Sequence, residues 1–119
     1  MSPYEEVILE HWRNPRNKGR LEAPDVDVVE ANPLCGDVVR VQLKVRDGRV
    51  EDVRFDGRGC AISQAAASLL TEMIKGKPLC ELKGWGDEVL LSALGGVIKT
   101  RLNCVLLPLR ALRKGLSSR

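Results

Sequence analysis

Three cysteines in this sequence stand where the chain is expected to change direction. Cys35 lies within Asn32-Pro33-Leu34-Cys35-Gly36-Asp37, Cys60 follows Gly57-Arg58-Gly59, and Cys104 precedes Pro108 by one helical turn. Junctions of this kind are where a rigid scaffold presents reactive groups. Thiolates bind soft metals and attack sulfur, and Asp37 sets a hard carboxylate oxygen two residues after Cys35. Three thiolates and one carboxylate could complete a tetrahedral zinc site or cap a small iron–sulfur cluster. An oxygen ligand among sulfurs binds either one less tightly and leaves a replaceable position, which suits a protein that hands its cargo on.

The glycines fit that picture. Gly36, Gly57 and Gly59 permit tight or left-handed backbone and close approach to a bound ion. A helix beginning at Cys60 would turn its positive end toward that sulfur and favour thiolate. A plainer reading stands beside this one. Free cysteines often just fill a core, and separations of 25 residues (35 to 60) and 44 residues (60 to 104) match no local zinc motif. Cys80, set among leucines in Lys77-Pro78-Leu79-Cys80-Glu81-Leu82, is expected in the core. His11 is expected at the surface or as a cap, and Arg110, Arg113 and Lys114 suit a helix C-terminus and need no partner to explain them.

The elements that must position these groups can be read from periodicity. Residues 3–13 open with Pro3 and two acids, and Tyr4, Val7, Ile8 and Trp12 share one helical face. Asn14-Pro15 ends that helix. Val26 to Val29 suggest a strand, and from Val38 the alternation is clean, with Val39, Val41, Leu43 and Val45 on one side. Asp47-Gly48 marks a hairpin into a return strand over 50–56 carrying Val53 and Phe55 inward. After Cys60 the period lengthens to that of a helix, with Ile62, Ala65, Ala66, Leu69 and Met73 as its stripe, stopping at Gly76. Residues 79–94 read as weaker helix broken at Gly84 and Gly86, and a last helix covers about 105–114 with Val105, Leu109 and Leu112 inward. Pro108 is tolerated near a helix start, which places Cys104 at the entrance of that helix. Strands followed by helices predict an α+β fold: a three-stranded antiparallel sheet with helices packed on one face, in a single domain over 1–119.

Bulk properties narrow the function classes. The 119 residues carry 19 basic and 16 acidic side chains, a net charge of +3 with only 3% aromatics, so nucleic acid is not an expected partner. No apolar run reaches the roughly 20 residues of a membrane span, and Met1 to Glu10 lack the pattern of a signal peptide. A cytoplasmic, reducing location is expected, where the 4 cysteines point to metal or sulfur chemistry and not to disulfides.

The segments HWRNPRNKG (11–19), NPLCGD (32–37), GRGCAISQAAASLLTEMIKGK (57–77) and RLNCVLLPLRAL (101–112) together resemble the NifU/IscU/SufU-type iron–sulfur scaffold proteins over nearly the whole chain. The resemblance implies that Cys35, Asp37, Cys60 and Cys104 are the ligands, of zinc or of a transient [2Fe–2S] cluster. It also implies that Cys104 accepts persulfide sulfur from a cysteine desulfurase, with apo iron–sulfur proteins as acceptors of the cluster. Cys80 matches no family ligand.

Two departures bear on the branch. The IscU-type histidine before the last cysteine is Asn103 here, which resembles the SufU-type proteins, zinc-dependent sulfur acceptors. The insertion typical of that branch between the second and third cysteines is missing. The proline-containing segment read by a dedicated Hsp70-type chaperone is replaced by Gly96-Val97-Ile98-Lys99-Thr100, so that partner is not expected. The readings carried forward are a cluster scaffold, a zinc-dependent persulfide sulfurtransferase, and a purely structural zinc domain.

Overall fold

The computed structural model describes residues 3–33, 36–96 and 101–117. Its elements run in the order α1 (Pro3–Arg13), β1 (Val26–Asn32), β2 (Asp37–Arg46), β3 (Arg49–Arg58), α2 (Ala61–Ile74), α3 (Leu79–Lys83), α4 (Asp87–Leu94) and α5 (Leu102–Leu116). The three strands form one antiparallel sheet in sequence order, as the alternating pattern predicts. Asp47 and Gly48 both take positive φ, 54° and 73°, the backbone that a two-residue hairpin turn requires. That turn fixes the register, so Val41 faces Phe55 and Leu43 faces Val53 across the β2–β3 pair. Those four side chains are at most 1% exposed.

The inner face of the sheet is covered by α2 and α5, with α5 over β1 and β2, and α2 chiefly over β3. Leu70 and Ile74 of α2 meet Val105, Leu109 and Leu112 of α5 in one core. Burial of each such side chain contributes about 1.5–3 kcal/mol. The inward stripe of α2 differs from the expected one. Ile62, Leu69 and Met73 are only partly buried, while Ser63, Ala67, Leu70, Thr71 and Ile74 are fully buried. The reason is that α2 is flanked by α1 and α5 as well as by the sheet, so no single stripe defines its inside.

The last helix also begins earlier than expected. It starts at Leu102, and Pro108 lies inside it at the seventh position. Cys104 therefore sits within the first turn and not ahead of it. Pro108 has no N–H to return to the carbonyl of Cys104, so that first turn lacks one intrahelical bond.

Three further expectations are corrected. Cys80 is exposed and not part of the core: α3 is only five residues long, and its inward position is Leu82. Trp12 is 50% exposed, since α1 turns the neighbouring His11 inward instead. His11 is 6% exposed, neither a surface residue nor a cap. Its Nδ1 lies 2.8 Å from Ser68 Oγ on α2, and Ser68 Oγ also accepts the Arg16 backbone N–H at 2.8 Å. The Arg16 guanidinium, a donor only, stands 3.4 Å from the same Nδ1. The Ser68 hydroxyl thus donates to Nδ1, leaving the ring proton on Nε2, 3.4 Å from a Glu72 carboxylate oxygen. Asn17 donates to Thr71 Oγ1 at 3.1 Å, and the loop pairs with β3 through Phe55 N to Asn17 O and Gly19 N to Phe55 O, each 2.9 Å. The segment HWRNPRNKG thereby ties α1, α2 and the free edge of β3 together.

Burial holds the His11 pKa below the usual histidine range, and the Arg16 charge lowers it further, against opposing pulls from Glu72 and Glu10. A folded pKa below the unfolded value means that the unfolded chain binds the extra proton first. The stability is then complete above about pH 6.5 and is lost as the pH falls from there through the depressed folded value. Urea midpoints of the metal-free protein should fall over that window, and His11→Gln should flatten the slope. Parallel slopes in the two proteins would show that His11 does not carry it.

Among the described residues no helix is long and apolar enough to cross a membrane.

Candidate metal centre

The site is assembled at the end of the sheet where β1 turns into β2 and β3 runs into α2. Asp37 is the first residue of β2, paired with Asn32 of β1, and is 1% exposed. The turn before it is closed by Gly36 N donating to Asn32 O at 2.8 Å. Cys35, expected as a ligand, lies outside the described residues, as does 97–100, most of the segment compared with the chaperone-binding motif.

Cys60 is the N-cap of α2. Its backbone is extended (φ −69°, ψ 155°), and its Sγ accepts the Ser63 N–H at 3.4 Å in the place a serine or aspartate oxygen usually fills. The Cys60 N–H donates to Asp37 Oδ1 at 2.8 Å, and its thiol reaches Asp37 Oδ2 at 3.5 Å. Gly59 makes this approach possible. It adopts φ +128°, and a Cβ there would lie 2.8 Å from both Cα and Cγ of Asp37 and nearer still to Oδ1. The close approach that this glycine permits is thus to the carboxylate that holds Cys60.

Cys104 lies in the first turn of α5 and is 2% exposed. The N-termini of α2 and α5 both face the site, so the positive ends of two helix dipoles favour negative sulfur there. The ligand atoms of Asp37, Cys60 and Cys104 all lie within 4.8 Å of one another. Zinc–sulfur bonds of about 2.3 Å imply a tetrahedral edge of about 3.8 Å. The three donors are therefore near binding distance already, and the two-soft, one-hard donor set fits zinc or iron.

Asn103 does not join them. Its side chain is on the exposed face of α5, where Oδ1 accepts from Arg110 Nη2 at 3.0 Å. Arg110 thus has a partner on its own helix, and Arg113 has one on α4, its Nη1 2.7 Å from an Asp87 carboxylate oxygen. Ser63, which the periodic pattern does not single out, also belongs to the site. Ser63 supplies the backbone N–H that the Cys60 cap accepts, and its hydroxyl also donates to Cys60 O at 3.1 Å. Its position three residues after a junction cysteine is the signal that could have revealed it.

A small α+β domain with two thiols and a carboxylate gathered at one sheet end defines a class of thiolate–carboxylate metal or cluster carriers. The sequence matches the NifU-like N-terminal domain over residues 3–118, and the chain belongs to that family. It is 38% identical over 113 residues to the iron–sulfur cluster assembly scaffold protein IscU 1 of Archaeoglobus fulgidus, covering 95% of this chain and 74% of that protein. It is 40% identical over 133 aligned residues to the zinc-dependent sulfurtransferase SufU of Bacillus subtilis, covering 96% of this chain and 89% of that one. That alignment is longer than this chain, so the Bacillus protein carries inserted residues that this one lacks. Among solved structures, the N-terminal part of a NifU-like protein from Brucella abortus superposes with a TM-score of 0.80 at 27% identity, covering 96% and 92% of the two chains.

Proposed function

We propose that this protein is an iron–sulfur cluster assembly scaffold. It takes sulfur from a cysteine desulfurase together with iron, builds a transient [2Fe–2S] cargo on Cys35, Asp37, Cys60 and Cys104, and passes it to apo acceptor proteins. The observation that carries this reading is the buried Asp37 carboxylate gathered with two thiols and tied to the Cys60 backbone. A permanent structural site gains nothing from one hard ligand among sulfurs, whereas a carrier gains an exchangeable position. Thiols in this role require a reducing compartment, which favours the cytoplasm.

A second reading is favoured by one observation. Asn103 is turned out to Arg110 and adds no nitrogen donor, and the SufU of Bacillus subtilis is a zinc-dependent sulfurtransferase. In that case the Cys104 thiolate attacks the sulfane sulfur of the desulfurase persulfide. The new S–S bond forms as the old one breaks, and the desulfurase cysteine leaves as thiolate, with no net oxidation. Among the described residues the apolar cluster that includes Leu70, Ile74, Val105, Leu109 and Leu112 packs without drawing on a metal ligand. Chelation should therefore lower the melting temperature while the protein stays folded, whereas a purely structural zinc domain would unfold.

The deciding experiment is anaerobic reconstitution with iron, cysteine and a desulfurase, followed by visible absorption and metal analysis. A cluster spectrum that decays when an apo acceptor is added supports the scaffold. Retained zinc, no chromophore and faster desulfurase turnover point to sulfur transfer instead.

A further inference from the structure

Gln64 is an anomaly of the fold. It is the fourth residue of α2, is 7% exposed, and its carboxamide oxygen is buried without a hydrogen-bond partner among the described residues. That oxygen faces Gly57, where an added Cβ would come within 3.2 Å of it. An apolar side chain of the same size would avoid the cost of a buried acceptor left unmet. Such a group in a native structure calls for an explanation in function.

The other end of the amide supplies one. Gln64 Nε2 donates to Ser63 Oγ at 3.2 Å, and Ser63 is fully buried. The Ser63 hydroxyl donates to Cys60 O at 3.1 Å. It also lies 3.7 Å from Cys60 Sγ, whose thiol donates to it in the metal-free protein. A cysteine that ligates metal has given up its proton, so its sulfur can only accept. The hydroxyl proton then has two acceptors to choose between, Cys60 O and Cys60 Sγ. Cys60 O keeps a donor in either case, the Gln64 backbone N–H at 3.3 Å. Gln64 Nε2 occupies the acceptor side of Ser63 Oγ and leaves the hydroxyl proton to point away from it, toward the sulfur.

We infer that Ser63 and Gln64 act as a positioning pair. Once Cys60 holds metal, the Ser63 hydroxyl turns from the Cys60 carbonyl to the Cys60 sulfur, and the Gln64 amide keeps it there. The Ser63 N–H is already on that sulfur at 3.4 Å, so the ligand receives two donors from one residue, which fixes its direction and draws on its charge. This rests on the reading of Cys60 as a ligand in a metal and sulfur carrier.

The test compares the full-length wild type with Ser63→Ala, Gln64→Met and the double variant, each loaded anaerobically with cobalt(II) or zinc. Ser63→Ala keeps the backbone N–H and loses the hydroxyl. Zinc affinity is expected to fall about 10-fold, and the sulfur-to-cobalt charge-transfer band to move to lower energy. Gln64→Met, close to the same size, should move both in the same direction by less, about 3-fold in affinity. Because Gln64 acts only through the hydroxyl, the double variant should match Ser63→Ala alone. The metal-free Gln64→Met protein should melt at the wild-type temperature or above, since a buried oxygen without a partner has been removed. A merely structural role would lower that temperature and leave the band in place. An unmoved band in Gln64→Met would overturn the inference, as would effects that add in the double variant. The Gln64→Met band decides the matter even if Ser63→Ala does not fold. A wild type that binds neither metal would instead refute the underlying reading of the site.

Discussion

Gly59→Ala is expected to lower metal affinity about 100-fold and to destabilise the metal-free fold by about 3 kcal/mol. The added methyl would occupy the position of the Asp37 carboxylate, at a backbone φ of +128° that side-chain-bearing residues rarely adopt. The carboxylate must then move, and its 2.8 Å bond from the Cys60 N–H is lost. That removes one ligand and frees the N-cap that aims a second. Two costs therefore add at one atom: backbone strain, and a buried donor left without its acceptor. Gly76→Ala is the control. Gly76 has φ +84° with nothing within 4 Å of its would-be Cβ, so alanine there costs only the left-handed backbone, about 1–2 kcal/mol, and leaves metal binding alone. Zinc competition titrations and urea midpoints measure both quantities. If Gly59→Ala binds zinc within twofold of wild type, the Asp37 carboxylate is not essential to the site.

The sheet was legible because its signals are local. Val39 to Val45 alternate without interruption, and Asp47-Gly48 supplies the turn that sets the register. The breaks at Gly84 and Gly86 were legible for a similar reason, since both fall between short helices. What escaped depends on residues far apart in the chain. His11 reads as a surface group on α1 until Ser68, 57 positions away, is found against its ring. Cys80 reads as core between leucines, yet a single helical turn gives no periodicity from which to choose a face. The site shows both behaviours. The residue types at Asp37, Cys60 and Cys104 mark them as candidates, but the Asp37-to-Cys60 bond joins positions 23 apart, and the space for it is created by the missing side chain of Gly59.

Cys104→Ser is expected to bring desulfurase stimulation and persulfide loading to background, a loss of more than about 100-fold, while the protein stays folded. The loss follows from chemistry: a serine hydroxyl is not ionised near neutral pH and cannot take up sulfane sulfur. Retention of the fold follows from position, since serine in the first turn of α5 exchanges one small side chain for another and should cost about 1 kcal/mol. Cys60→Ser separates acceptance of sulfur from ligation. Serine is a better N-cap than cysteine, so this variant should be as stable as wild type or more so without metal, yet bind zinc at least 10-fold more weakly. It should still accept persulfide at Cys104. The asymmetry has a structural basis. Cys60 is fixed through its N–H to Asp37 and through its sulfur to Ser63, so it is held as a ligand at the α2 N-terminus, while Cys104 is presented by a separate element, the first turn of α5. Mass spectrometry of the two variants after exposure to desulfurase and cysteine decides the matter: sulfur retained on Cys104→Ser and lost from Cys60→Ser would reverse the assignment.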